Sequence, residues 1–93
     1  TTIDHLNVSR GSDDGIEFFG GTVNVKYLIS FANGDDMLDW TNGWTGTVQY
    51  GIAYLGNVST QRDADSNIME ADNDTNTNGL TPRSAPIIAN KVF

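Results

Sequence analysis

The chain contains no cysteine, only two prolines, and five lysines and arginines against twelve aspartates and glutamates. Without cysteine, neither a disulfide nor a thiolate metal site can form. The net charge of −7 disfavours nucleic acid as a partner, because its phosphates would be repelled, and favours cations. No apolar run approaches the roughly 18 residues that a membrane-spanning helix needs, so no membrane span is predicted.

The residues that are abundant favour strands and turns. Long stretches of strong helix formers are missing, while glycine, asparagine, aspartate and threonine occur throughout. Such a composition is typical of many short strands joined by turns. A chain of 93 residues suffices for one small domain. Low positive charge with plentiful polar residues is also common in secreted proteins, so we expect a secreted or cell-surface location.

One segment of the chain occurs twice in succession. Residues 12–21 (SDDGIEFFGG) align with residues 34–43 (GDDMLDWTNG), acid over acid and apolar residue over apolar residue. In a strand, Ile16 and Phe18 would share one face and Glu17 would take the other. A repeat of about 22 residues, built from short strands and turns, predicts a solenoid of stacked β-coils.

The rest of the chain continues this repeat. Residues 22–31 (TVNVKYLISF) predict the strongest strand, and residues 44–55 begin a third coil. The apolar pair Ile68-Met69 precedes Glu70 as Ile16 precedes Glu17, which indicates a third short strand delayed by an acidic insertion. We therefore predict one solenoid segment over residues 1–93, with coils at about 1–21, 22–43, 44–79 and 80–93.

An antiparallel meander is the alternative architecture. Asn33-Gly34 and Asn42-Gly43 are typical of two-residue hairpin turns. The spacing of the repeat, however, suits one full turn of a parallel β-helix with two or three short strands.

The run DDGIEFFGGTVNVKYL, followed by GDDMLDWTNGW, EADND and a late APIIANKVF, resembles a known domain over almost the whole chain. This is the right-handed parallel β-helix domain of secreted and cell-surface proteins, largely of Bacteroidota and marine bacteria. The family is similar to the pectate-lyase-type solenoid, and most members have no assigned activity. The resemblance implies an all-β, right-handed parallel β-helix and leaves the chemistry open.

Terminal coils of a solenoid normally need polar caps, and neither end of this sequence shows one. We therefore expect a fragment of a longer protein. Its open ends would be covered by other coils of the same parent protein or by a second chain.

Stacked coils would bring acids of the first repeat beside acids of the second, about 5 Å apart. Like charges directly opposite one another destabilise a sheet, so a bound cation, protonation of one partner, or splaying into solvent must offset them. Hard oxygen ligands without histidine or cysteine favour Ca²⁺, although aspartate also forms turns without any metal. The candidate ligands are Asp13, Asp14, Glu17, Asp35, Asp36 and Asp39.

The acidic loop of residues 61–79 offers a second, weaker calcium candidate. Two of its segments read Asp-x-Asp-x-Asn, and residues 74–79 match the start of a calcium-loop pattern. The twelfth position of that pattern is Ala85, where a bidentate glutamate is needed, so an EF-hand is excluded. A partial site and a solvated loop both remain open. The candidate ligands are Asp63, Asp65, Asp72 and Asp74.

Aromatic residues suggest contact with polysaccharide. Phe18 and Trp40 lie on the apolar face of the repeat and are predicted to be core residues. Trp44, beside a glycine-rich turn, and Tyr50 are the candidates for an exposed platform that stacks against sugar rings.

No residue is predicted to be catalytic. The many acids do not single out a catalytic pair of carboxylates, and no lysine or arginine lies in a recognisable motif. The sequence favours an extracellular structural or adhesive module that is stabilised by calcium and contacts carbohydrate. The alternatives are part of a calcium-dependent polysaccharide lyase or glycosidase, and a self-assembling filament or surface-layer component.

Overall fold

The strands form two parallel sheets that face each other across the core. A computed structural model describes residues 1–56, 66–74 and 76–93. The large sheet has the order β1-β3-β5-β7 and the small sheet the order β2-β4-β6. The long strands are Thr2–Ser9 (β1), Asn24–Phe31 (β3), Thr47–Tyr54 (β5) and Ile87–Val92 (β7), and the short strands are Glu17–Phe19 (β2), Asp39–Thr41 (β4) and Glu70–Ala71 (β6). The described part of the chain contains no helix, and hence none that could cross a membrane.

Every strand pairing is parallel, and its register follows the sequence repeat. Glu17 pairs with Asp39 on the small sheet, and Val25 pairs with Val48 on the large sheet. The predicted parallel β-helix is therefore confirmed, and the antiparallel alternative is wrong. The two Asn-Gly pairs do not close hairpins. Asn33 is fully buried inside the solenoid, and Asn42 and Gly43 take left-handed conformations where the chain leaves β4.

The third coil is longer than the first two, as the acidic insertion predicts. Asp39 pairs with Glu70, so the chain between neighbouring rungs of the small sheet is longer here than between Glu17 and Asp39. The strand begins at Glu70 rather than at Ile68, but the register is the predicted one. On the large sheet Thr47 pairs with Ile87, so both sheets resume their stacking after the insertion.

The core lies between the two sheets and contains the apolar residues of both repeats. Phe18 and Trp40 are buried, which confirms their prediction as core residues. The Phe18 and Trp44 rings stack with centroids 4.1 Å apart and planes 3° apart. The Trp44 Nε1–H donates a hydrogen bond to the Val23 carbonyl at 3.0 Å. Burial of these large rings supplies much of the apolar stabilisation that so small a domain needs.

A buried polar network anchors the two acid-bearing turns to this core. The Asn33 side-chain amide donates to the Ser30 hydroxyl at 2.9 Å, and that hydroxyl donates to the Met37 carbonyl at 2.7 Å. The Gly11 N–H donates to the Asn33 side-chain oxygen at 2.9 Å, which ties the first coil to the second. Gly15 lies directly against the network, where a side chain would collide with it. Buried hydrogen bonds therefore tie both acid-bearing turns to the core and to each other.

The long strands share one unusual backbone feature. His5, Tyr27, Tyr50 and Asn90 occupy equivalent positions on successive rungs, and all have positive φ, between 53° and 58°. The left-handed conformation breaks the in–out alternation, so that Val25 and Leu28 both point inward although three positions separate them. Each long strand bends here, and the four side chains project outward as a row.

The acid ladder as a candidate metal site

The predicted acids of the two repeats lie in stacked turns and at the first residues of β2 and β4, which follow these turns. We define the acid ladder as Asp13, Asp14, Glu17, Asp35, Asp36, Asp39 and Glu70. Backbone hydrogen bonds join the two turns, with the Gly15 N–H donating to the Asp36 carbonyl at 2.8 Å. The Asp36 N–H donates to the Asp14 carboxylate at 3.0 Å. The stacking of acid over acid that the repeat predicts is therefore present.

Two groups of three acids converge closely enough to share a metal ion. In each group, carboxylate oxygens from all three residues lie within 4.8 Å of one another. Asp14 belongs to both groups, so the two sites would be adjacent. Because all donors are hard oxygens, the chemistry suits Ca²⁺ rather than zinc. The first group is Asp13, Asp14 and Asp35, and the second is Asp14, Glu17 and Asp39.

Burial and the proximity of these acids to one another make their ionised forms unfavourable. Partial burial, followed by the negative charges of Asp39 and Asp14, raises the pKa of Glu17 to about 7. Burial and the charge of Asp14 raise the pKa of Asp39 to about 6. Burial also raises the pKa of Asp14, and the Asp36 N–H that it accepts partly offsets this. The ladder therefore holds protons near neutral pH unless a cation replaces them.

One oxygen of the ladder has no hydrogen-bond donor among the described residues. Asp39 Oδ1 is buried from solvent and accepts no hydrogen bond there. A buried carboxylate oxygen without a donor is costly, and such atoms are rare in folded proteins. When Glu17 is protonated, it hydrogen-bonds to the Asp39 carboxyl group, and when Glu17 is ionised, a metal ion beside Asp14 and Glu17 would satisfy this oxygen.

Asp36 has a different role from the one predicted. Its side chain is 2% exposed and accepts a hydrogen bond from the Asn67 N–H at 2.5 Å. It also hydrogen-bonds to Glu70, and this bond is the largest cause that raises the pKa of Glu70 to about 7, ahead of burial. Asp36 belongs to neither group of three, so it links the second coil to the third rather than completing either metal group.

Glu70 is the ladder residue that was not among the predicted ligands. It occupies the rung after Asp39 and extends the row begun by Glu17. The signal was available, because the apolar pair before Glu70 repeats the pair of residues before Asp39. The long insertion separates Glu70 from the two clear copies of the motif, so its place in the row is evident only from the strand pairing.

The acidic loop does not form a comparable cluster where it is described. Asp74 accepts hydrogen bonds from the Asn76 and Thr77 N–H groups at 2.9 and 2.7 Å, which is a turn-forming role. Within residues 66–74 and 76–93, neither Asp72 nor Asp74 joins two other acids closely enough to hold a metal. Asp63 and Asp65 lie outside the described residues, so a calcium site there stays a prediction.

The two candidate carbohydrate contacts have opposite environments. Trp44 is 0% exposed, so its prediction as an exposed platform is wrong, because the indole packs on Phe18 inside the core. Tyr50 is 42% exposed and stacks on Tyr27 with ring centroids 5.2 Å apart. Carbohydrate contact at Tyr50 stays a prediction.

Comparison with known proteins places this fold in a family. No curated protein and no solved structure matches the chain. The model of the pectate-lyase-like β-helix domain matches residues 1–93, which are all the residues of the chain. Because the match and the parallel rungs agree, the chain belongs to the pectate-lyase-like β-helix domain family.

Proposed function

We propose that this chain is an extracellular structural or adhesive β-solenoid module whose stacked coils are stabilised by Ca²⁺ at the acid ladder. One observation carries the proposal. The carboxylates of Asp14, Glu17 and Asp39 converge within 4.8 Å, and a buried oxygen of Asp39 has no donor among the described residues. The secreted location and the structural role rest on composition and on the solenoid family.

A divalent cation is the simplest way to offset the repulsion in the ladder. Two like unit charges about 5 Å apart repel by roughly 1 kcal/mol in water and by about 3 kcal/mol at the effective dielectric of a protein surface. A cation between them attracts both carboxylates, and these attractions outweigh the repulsion that remains. Ca²⁺ takes 6–8 oxygen ligands in flexible geometry, so backbone carbonyls and water can complete either group. Mg²⁺ demands a stricter octahedron, which makes Ca²⁺ the better fit.

Calcium is expected to raise the melting temperature of the protein. Extracellular calcium modules bind with dissociation constants of about 0.1–1 mM. At about 5 mM Ca²⁺ this corresponds to roughly 1–2 kcal/mol of stabilisation, or about 5–15 °C in melting temperature for a domain of this size. Circular dichroism melts at pH 7.5 measure this shift in melting temperature. Mg²⁺ at the same concentration serves as the comparison. An equal shift with Mg²⁺, or none with Ca²⁺, would contradict the proposal.

A pair of variants separates coordination from general charge screening. Glu17→Gln removes one ligand and one charge from the ladder, so we expect it to stabilise the calcium-free protein at pH 7.5 and to lose most of the calcium response. Asp4→Asn makes the same change of charge on β1 of the large sheet, away from the ladder, and should keep the full response. If both variants respond to calcium alike, the ions act by screening.

The enzymatic and filament alternatives make different predictions from the scaffold. A calcium-dependent lyase or glycosidase would cleave acidic polysaccharide such as polygalacturonate, and the products would be visible by chromatography. A filament would appear as concentration-dependent light scattering. A scaffold neither cleaves polysaccharide nor forms filaments. Either observation would contradict the proposed role and support the corresponding alternative.

A further inference from the structure

Three asparagines of this chain are followed by glycine, and the structure places their peptide groups in different environments. An asparagine before glycine is prone to deamidation, because no side chain on the glycine keeps its nitrogen away from the asparagine side chain. In this reaction the glycine nitrogen loses its proton and attacks the side-chain carbonyl carbon of the asparagine. A hydrogen bond from that N–H protects the pair, since the bond must break first. The pairs are Asn33-Gly34, Asn42-Gly43 and Asn78-Gly79.

The first pair is held inside the solenoid. The Asn33 side chain is 0% exposed and belongs to the buried polar network. The Gly34 N–H donates to the Gly11 and Asp13 carbonyls at 2.9 and 3.1 Å. Deamidation at Asn33 therefore requires the first and second coils to separate.

The second pair shows that exposure alone does not make an asparagine reactive. Asn42 is exposed and lies directly after β4. Gly43, however, is buried, and its N–H donates to the Ser84 hydroxyl at 3.0 Å. One hydrogen bond to a single side chain thus protects this pair.

The third pair has neither form of protection. Asn78 and Gly79 lie exposed in a turn that is closed by the Leu80 N–H, which donates to the Thr77 carbonyl at 2.9 Å. Among the described residues, the Gly79 N–H donates to no acceptor. The Asn73 side-chain amide donates to the Asn78 carbonyl at 2.7 Å. That carbonyl shares a peptide group with the Gly79 nitrogen, so this hydrogen bond stabilises the negative charge that forms when the nitrogen loses its proton.

We propose that Asn78 is a site of spontaneous deamidation in the folded protein, whereas Asn33 and Asn42 are protected. The Gly79 nitrogen bonds to Asn78 Cγ, and the side-chain amide leaves as ammonia with the proton that the nitrogen gave up. Water then opens the cyclic succinimide at either of its two carbonyl carbons. Opening at Cγ gives aspartate, and opening at the α-carbonyl gives isoaspartate, in which the main chain runs through Cγ. Water is the co-reactant in both cases.

The modification changes the acidic loop. Either product adds one negative charge to a segment that already carries Asp72 and Asp74. In isoaspartate, the oxygen that Asn73 holds belongs to a carboxylate outside the main chain, and the turn gains one main-chain atom. The Asn73 amide also holds the Leu80 carbonyl at 2.9 Å, and its oxygen accepts from the Ser84 N–H at 2.7 Å. Isoaspartate therefore disturbs the contacts that fix the chain after this turn.

Incubation of the full chain at pH 7.5 and physiological temperature, followed by tryptic peptide mapping with mass spectrometry, tests the proposal. Trypsin cuts after Arg62 and Arg83, so Asn78 lies in a different peptide from Asn33 and Asn42. The chain unfolded in guanidinium chloride gives the rate of each pair without the fold. We expect Asn78 to gain the one dalton of deamidation at a similar rate in both states. Asn33 and Asn42 should react at least about tenfold more slowly when folded.

Two variants test the role of the glycine nitrogen. Ser84→Ala removes the acceptor of the Gly43 N–H, so Asn42 should react about tenfold faster than in the wild type. Gly79→Ala keeps Asn78, and its Cβ meets no atom of the fold within 4 Å, but the Cβ hinders the attack and should slow deamidation about tenfold. The proposal is overturned if Asn78 keeps its mass in the folded chain, if all three pairs react at one rate when folded, if Ser84→Ala leaves Asn42 unreactive, or if Gly79→Ala reacts as fast as the wild type.

Discussion

Without divalent cations, we expect the melting temperature of this protein to fall as the pH rises from about 4.5 to 7.5. The pKa values of Glu17 and Glu70 are raised to about 7 and that of Asp39 to about 6, from ordinary values of 4.5 and 3.8. In this interval the folded chain holds protons that the unfolded chain has released. The stabilisation is therefore fully present below the ordinary values and is lost as the pH passes through the raised ones.

Calcium should reverse this dependence. A bound cation needs the carboxylates ionised, so metal binding releases the protons and becomes stronger as the pH rises. Thermal melts between pH 5 and 7.5, with chelator or with about 5 mM Ca²⁺, would then show opposite slopes. Above this interval Lys91 acts in the opposite direction, because burial lowers its pKa to about 8 and the folded chain then releases this proton before the unfolded chain does, so that stability rises with pH. The same slope in both conditions, or rising stability in chelator, would show that the ladder does not control the titration.

Gly15→Ala is expected to destabilise the fold severely. A Cβ at this position would collide with the Ser30 hydroxyl and would lie 2.6 Å from both the Asn33 amide nitrogen and the Met37 carbonyl. These atoms are buried and hydrogen-bonded to one another, so relief of the collision leaves buried polar groups without partners. We expect a loss of about 3 kcal/mol or more in the free energy of unfolding.

Urea denaturation of the wild type and the variant measures this loss. Gly79→Ala is the matched control, because a Cβ there meets no atom within 4 Å. It should change the free energy of unfolding by no more than about 0.5 kcal/mol. A Gly15→Ala protein that unfolds at the wild-type urea concentration would show that the buried network is not rigid.

The register of the solenoid could be predicted from the sequence because a parallel coil places one repeat directly on the next. The offset of the repeat alone put Glu17 beside Asp39 and Phe18 beside Trp40, and both pairs are observed. Strand alternation then assigned the aromatic residues to the core. These features depend only on periodicity, which a single sequence displays fully.

The burial of each side chain could not be predicted in the same way, because equivalent residues lie on different rungs and have different neighbours. Asp14 and Asp36 belong to the same motif, yet only Asp36 is covered by the third coil and its Asn67 N–H. The glycines beside Trp44 predict an exposed turn, but the structure has Trp44 buried. Glycine is required at position 46 because a Cβ there would lie 2.5 Å from the Trp44 indole nitrogen. Burial depends on what the chain places above each rung, and periodicity carries no information about that.

The outward row at the bend had no local signal either. Asparagine is a residue that readily adopts the left-handed conformation, as Asn90 does, but tyrosine in this conformation is uncommon. Tyr27 and Tyr50 read as ordinary strand residues, since aromatic side chains favour strands. The conformation is imposed by the stacked rungs, so the outward row appears only in three dimensions.

The direction of the backbone hydrogen bonds has a mechanical consequence. In both sheets the bonds between neighbouring strands run from rung to rung, so tension along the solenoid axis loads a series of seams. Under tension, such a series breaks first at the weakest seam between two neighbouring coils. The first and second coils are joined by seven residue pairs on the large sheet and three on the small one, and the second and third by six and two. Among the described residues, the third and fourth coils are joined by five pairs, all between β5 and β7. The candidate metal group of Asp14, Glu17 and Asp39 spans the first and second coils, so a cation there would reinforce the seam with the most pairs, and failure under load would occur at the last one.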